Sequence, residues 1–204
     1  MSIEPARRVR RSPEAARENI LSAAEQLLVA KGPQALKLVD VAQAAGVSHA
    51  TVLHHFGSID GVQTALAEAM IRQLVAQVVA AGPQGEGEGA GEETRLDRVA
   101  QVLFDAFESA GGARLAAWLE LTGETRRLTL VRSAVEEVIS GPMAQKGLDP
   151  DRAANLILVA VSLALGVGLI GRSLAELVGR PPESTREAAL AFLKAGLSAS
   201  ARED

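Results

Sequence analysis

Apolar residues recur at helical spacing along most of this chain, and no segment alternates as a half-buried strand would. Ser12-Pro13 marks the first helix start. Serine caps, and proline takes the first helical position, where its missing N–H costs nothing. Ile20, Ala24, Leu27 and Leu28 then share one face, and Lys31-Gly32-Pro33 stops the run. A short second helix is predicted from Leu38 to Ala45, with Leu38, Val41, Ala42 and Ala45 inward. Gly46 would end it in the left-handed conformation. Ser48 caps a third helix running to about His55, and Ser58 caps a fourth that carries Val62, Leu66, Ala69, Met70 and Leu74 on its inner side.

Residues 82–93, "GPQGEGEGAGEE", interrupt this pattern with glycine and glutamate, which cannot build a core; a flexible loop is expected. Thr94 with Asp97 resembles a cap for a helix bearing Leu96, Val99, Ala100, Leu103, Phe104 and Phe107. Gly111-Gly112 breaks it. Two helices fit near 113–122 and 125–140, the second ended by Gly141-Pro142. Asp149-Pro150 starts the eighth, Pro181-Pro182 ends that region, and Ser184 with Glu187 forms a capping box for the last. The expectation is an all-α protein of about nine helices. An N-terminal arm and helix-turn-helix domain would span 1–57, a connecting helix 58–81, and a C-terminal helical domain 94–204.

Composition narrows the chemistry. The 48% apolar content suffices for a sizeable core, and the low aromatic share, with no tyrosine, argues against a stacking surface for single-stranded nucleic acid. There is no cysteine, which excludes disulfides, thiolate catalysis and cysteine zinc sites, and is compatible with a reducing cytoplasm. The first residues carry positive charge but no apolar run of signal-peptide length, so a cytoplasmic location is expected. The net charge of −4 is unevenly spread: residues 1–57 net +2 and the rest −6, with Arg7, Arg8, Arg10 and Arg11 concentrated in the arm. That pattern suits a protein that meets a polyanion at one end only.

All three histidines, His49, His54 and His55, fall within "GVSHATVLHHFGS", residues 46–58. Metal ligands on one helix sit three or four residues apart, as in H-E-x-x-H, whereas these are spaced by five and by one. No metal and no cofactor are expected. Acid–base catalysis would need a partner nucleophile, and no motif supplies one, so the chain is not read as an enzyme. Two short helices joined by a tight glycine turn do form a helix-turn-helix. Val41, Ala42, Val47, Val52 and Phe56 would pack it, leaving Ser48, His49, Ala50, Leu53 and His54 outward on the part that enters a major groove in such motifs. On the pattern alone, contact with DNA and simple solvation of these polar groups remain equally open. His55, beside Phe56, is expected to cap or to pack against the first helix.

The stretch "ILSAAEQLLVAKGPQALKLVDVAQAAGVSHATVLHHFGSIDGV", residues 20–62, resembles the DNA-binding domain of the tetracycline repressor (TetR) family. The likeness rests on the Ala-rich first helix, Gly32, the "VDVAQAAGVS" run, Thr51, and His55-Phe56 followed by Ser58. It implies a homodimeric, ligand-responsive repressor that binds a near-palindromic operator in double-stranded DNA and answers to a small effector. The family has Thr, Tyr and Lys where Lys37, Leu53 and Ile59 stand here, so two familiar phosphate contacts are missing. Lys37 would recover one, and Arg10 and Arg11 more through the backbone or the minor groove. A TetR-like ligand- or protein-binding module with weakened DNA binding is the alternative.

In the second half, "GVGLIG", residues 166–171, matches G-x-G-x-x-G but lacks the βαβ setting of a dinucleotide site; its small residues instead permit close helix packing. Residues 153–171 carry no charge and reach the length of a membrane span, but burial in a core and a dimer interface together is preferred, and no membrane is expected. Leu156, Val159, Leu163 and Ile170, with Leu190, Phe192, Leu193 and Leu197 from the last helix, are assigned to that interface. Leu103, Phe104, Phe107, Trp118 and Leu121 are assigned to an apolar effector pocket, with a plain core role as the competing reading. Glu120, Glu124, Arg126 and Arg127 are either pocket groups or a solvated face.

Overall fold

The computed structural model describes residues 12–81, 92–123 and 149–200, and the isolated positions 133, 136, 140 and 141. The described residues form helices and short connections, with no strand among them. The chain divides into two compact units, Met1–Ala65 and Leu66–Asp204.

The first unit holds α1 (Pro13–Lys31), α2 (Leu38–Ala45), α3 (His49–Phe56) and the start of α4 (Ile59–Ala81). Its helix ends follow the predicted signals. Ser12 Oγ accepts from the Ala15 N–H at 3.2 Å, and the Gly32 N–H closes α1 on the Leu28 carbonyl. Gly46 adopts φ 66°, ψ 33°, the left-handed turn that lets α3 follow α2. Lys37 leads α2 without a side-chain cap, because an ammonium cannot accept from the helix N–H groups. Asn19 Nδ2 donates to the Ala45 carbonyl at 2.8 Å, so α1 satisfies a backbone acceptor that the end of α2 would leave open. Ile20, Ala24, Leu28, Val41, Ala42, Val52 and Val62 are buried and make up the core of this unit. Each large member contributes roughly 1.5–3 kcal/mol of burial.

The second unit contains α5 (Glu92–Glu108), α6 (Gly112–Leu121), α7 (Pro150–Leu177) and α8 (Ser184–Ser200). Asp149 starts α7 by accepting from the Asp151 and Arg152 N–H groups at 3.1 and 3.2 Å. The helix is regular over Pro150–Gly166, widens to a π turn over Val167–Gly171, and closes as α-helix over Arg172–Leu177. The "GVGLIG" run, residues 166–171, closes the regular segment with Gly166 and supplies this π turn with its other five residues. A Cβ on Gly168 would lie 2.7 Å from both the Ala113 Cβ and the Phe107 carbonyl oxygen, so the glycine permits α7 to approach α5 and α6 closely. Phe104, Ala164, Ala189 and Leu193 form a buried cluster, with Leu103, Phe107, Leu163, Val167 and Leu190 packed on it. Arg186 on α8 pairs with Asp105 and Glu108 on α5 at 2.7 and 3.2 Å, and Lys194 pairs with Asp97 at 2.8 Å. Burial by itself would ease the proton off Arg186; hydrogen bonds and charge from Asp105 and Glu108 outweigh it and hold the guanidinium above its ordinary range.

Two helix starts differ from expectation. Helix α5 begins at Glu92, so Thr94 lies inside it and the last two residues of the expected loop are helical. Helix α8 begins at Ser184 itself, and the Glu183 carbonyl accepts from the Glu187 N–H at 3.1 Å. The cap position therefore falls to Glu183, and the Ser184–Glu187 box is displaced by one residue. The helix expected near 125–140 falls almost wholly outside the described residues.

Candidate nucleic-acid interface

The third helix is fixed at both ends. Ser48 Oγ accepts from the Thr51 N–H at 3.1 Å, which caps the start of α3, and is 2.8 Å from the Thr51 hydroxyl, which holds the capping side chain in place. At the far end, the Gly57 N–H bonds to the Leu53 carbonyl at 2.8 Å. Arg17 reaches across from α1, donating to the His55 carbonyl at 3.0 Å with its guanidinium 4.3 Å from the Phe56 ring centroid. Beneath the helix, Val52 is fully buried.

The opposite face is open. Ser48, His49, Ala50, Leu53 and His54 are all exposed, whereas Thr51, His55 and Phe56 are half-buried. The structure thus brings together five of the eight residues predicted to touch DNA. Lys37 is exposed at the start of α2. Arg10 and Arg11 lie outside the described residues. Leu53 keeps 40% exposure and Val39, on α2, 56%, so this face is partly apolar as well as polar. The His54 and His55 rings meet edge to face with centroids 5.3 Å apart. No group of three or more metal-ligating side chains forms among the described residues.

Residues 20–66 match the family model for bacterial regulatory proteins of the tetR family. Over these residues the chain is similar to that family. Solved structures extend the likeness to the fold of the chain. A TetR-family transcriptional regulator from Streptomyces coelicolor superposes with a TM-score of 0.64 at 23% identity, covering 90% of this chain and 98% of that one. A TetR transcriptional regulator from Legionella pneumophila does so at 0.64 and 18% identity, over 93% and 99%. The Q116A variant of TetR from Acinetobacter baumannii, in complex with minocycline, gives 0.63 at 20% identity, over 90% and 94%. No curated protein matches the sequence. The fold of the chain is similar to that of these TetR-family structures.

The second unit of this TetR-like chain redistributes the residues assigned to its two sites. Phe104 is fully buried, and Leu103 and Phe107 pack on the cluster it anchors. Leu193 is 6% exposed in that same cluster, and Leu163 and Leu190 lie against it. Within the single chain these three residues face the cluster anchored by Phe104, Leu193 fully and Leu163 and Leu190 in part. Trp118 is half-buried on α6, and Leu121 stands apart at the end of that helix, 86% exposed. Leu156 is half-buried. Val159, Ile170 and Phe192 are exposed, together with Leu158, Leu169, Leu174 and Leu177. The side chain of Leu197, and residues Glu124, Arg126 and Arg127, lie outside the described residues. Helices α4 and α7 are long and apolar enough to cross a bilayer by length and composition alone.

Sequence reasoning missed Arg17, which holds α3 from another helix. No local motif marks it, because its partners on α3 are far along the chain, the nearer one 38 positions away. It also missed Gly61, where a Cβ would overlap the Phe56 carbonyl oxygen as α4 turns away from α3. The "FGSIDG" run carried that signal, a glycine in the first turn of a helix that directly follows another.

Proposed function

We propose that this protein is a ligand-responsive transcriptional repressor that binds a near-palindromic operator as a homodimer. The observation that carries the reading is the exposed face of α3, with Ser48, His49, Ala50, Leu53 and His54 outward on a helix fixed at both ends. Side chains on such a helix reach base edges, while cations at its margins hold phosphates. Lys37, Arg10 and Arg11 are the assigned phosphate contacts. The apolar strip on α7 and α8 supports a second copy as partner, since Leu158, Val159, Leu169, Ile170 and Phe192 would otherwise face water. A small apolar effector would act by shifting the population between two spacings of the DNA-reading heads; the similar TetR variant from Acinetobacter baumannii is in complex with the small molecule minocycline. Leu103 and Phe107, half-buried against the Phe104 core, and the half-buried Trp118 on α6 are the residues proposed to meet it. The cytoplasm is the proposed location.

The test is fluorescence anisotropy on DNA upstream of the protein's own gene, against a scrambled duplex of equal length at two salt concentrations. A preference of about a thousandfold or more is expected. Equal, salt-sensitive binding to both duplexes would favour a second reading, a TetR-like ligand- or protein-binding module with weakened DNA binding. The apolar Leu53 and the uncapped start of α2 at Lys37 support that reading.

A further inference from the structure

We propose that Leu53 is a specificity-determining residue that reads the C5-methyl groups of thymines in the DNA major groove. The proposal rests on the reading of α3 as the DNA-facing helix. Helix geometry gathers His49, Ala50, Leu53 and His54 on one surface, because residues three and four apart are neighbours at about 5–6 Å. Leu53 lies one turn beyond His49 and Ala50, and His54 one turn beyond Ala50. All four are exposed, while Val52 is fully buried and fixes which side they face. The result is an apolar diagonal from Ala50 to Leu53, with an imidazole at each of the other two corners. His54 is braced by the His55 ring, centroids 5.3 Å apart, and Arg17 holds the His55 carbonyl and the Phe56 ring, so this end of the surface is fixed.

A leucine side chain forms no hydrogen bond, so it holds no phosphate. What it gains by docking comes from apolar surface, of which it keeps 40% open. In the major groove the apolar group that the bases present is the thymine C5-methyl, beside the O4 acceptor. The flanking imidazoles each carry an N–H donor. The surface thus offers a methyl contact next to donors, which is the pattern of a thymine edge. Ala50, with a single methyl, lets base edges approach beside Leu53 where a longer side chain would hold them off. Charge favours the same occupant: residues 1–57 hold seven Lys or Arg against five Asp or Glu, in a chain that nets −4. A helix of another protein fits less well. The exposed large apolar residues of the first unit, Val29, Val39 and Leu53, lie on three different helices. None of these helices therefore exposes the i, i+3, i+4 row of large anchors by which a partner helix docks.

A random-core duplex pool selected on the full-length protein would supply a bound sequence. Each thymine in it would then be replaced by deoxyuridine, which removes the methyl and keeps the O4 acceptor. Fluorescence anisotropy with the parent and replaced duplexes gives a thymine-to-uracil affinity ratio. Replacing one contacted thymine should cost about fourfold in affinity, the worth of one buried methyl, and replacing its symmetric counterpart as well about fifteenfold. Leu53→Ala, an exposed substitution, should lose this preference for thymine. The ratio compares two duplexes on the same protein, so a loss of folded protein cancels from it. His54→Gln should weaken both duplexes alike and keep the ratio. Three outcomes would overturn the proposal while leaving α3 as the DNA-facing helix: selected half-sites without thymine, deoxyuridine duplexes that bind like the parent at every position, or a preference that survives Leu53→Ala. A pool in which no sequence is enriched would overturn the DNA-facing reading itself, and the proposal with it.

Discussion

Arg17 and Phe56 are stacked, guanidinium carbon 4.3 Å from ring centroid, while the same guanidinium donates to the His55 carbonyl at 3.0 Å. One side chain thus binds both the π face and the backbone at the end of α3. The orientation of the exposed face of α3 depends on a side chain of another helix. Arg17→Ala should lower the stability of the free protein by about 1 kcal/mol, since the site is exposed. Arg17→Lys should recover little of it, because an ammonium lacks the flat fork that stacks and donates together. Urea unfolding midpoints for the two variants check this; a lysine variant as stable as the parent would show that charge alone suffices.

Ser48 has a cap role that can be separated from any DNA role. Its hydroxyl accepts from the Thr51 N–H at 3.1 Å. Ser48→Ala should cost about 1 kcal/mol without DNA present, and Ser48→Asp should retain most of that stability. The aspartate would nevertheless place a negative charge on the proposed phosphate-facing side. Stability measured by urea and affinity measured by anisotropy should therefore move apart in Ser48→Asp, and together in Ser48→Ala.

Two glycines in the first unit should fail for different reasons. A Cβ at Gly46 would stand in open space, but φ there is 66°, so Gly46→Ala carries backbone strain of about 1–2 kcal/mol. At Gly61 the obstacle is the Phe56 carbonyl oxygen, a backbone atom that cannot swing aside. Gly61→Ala should be the more damaging, at about 2 kcal/mol or more. Thermal unfolding of both variants would rank them, and an Asn at 46, which tolerates the left-handed region, should fall nearer the parent than Ala does.

The first unit was largely legible because its signals are local. Ser12-Pro13, Gly46 and Ser48 each act within four residues, and helix boundaries there follow from them. The outward set on α3 was legible because a buried Val52 fixes which face remains. The second unit was less so. Leu163, Leu190 and Leu193 are apolar at helical spacing, and periodicity gives a face but not the partner that covers it. Leu193 turns to Phe104 inside the chain, whereas Phe192 turns outward. At Ser184 and Thr94 the cap-like residues are helical because a helix can start earlier wherever tertiary packing continues it. Arg17 was invisible for the opposite reason: it acts at long range, with no pattern in its own neighbourhood.

The adjacent pair Phe192 and Leu193 gives the clearest test of the proposed homodimer. Phe192 is 65% exposed in the single chain, and Leu193 is 6% exposed against Phe104. Phe192→Glu should leave each subunit folded, since its ring contributes little to the chain's own core. It should shift the sedimentation behaviour from dimer to monomer by placing a charge in an apolar contact. Leu193→Ala should instead lower stability by about 2–5 kcal/mol through the cavity it leaves. Sedimentation velocity and thermal unfolding, run on both variants, separate the two roles. A Phe192→Glu protein that sediments as the parent does would remove this face from the proposed interface. It would also leave the exposed strip of Leu158, Val159, Leu169 and Ile170 to be explained by a different partner.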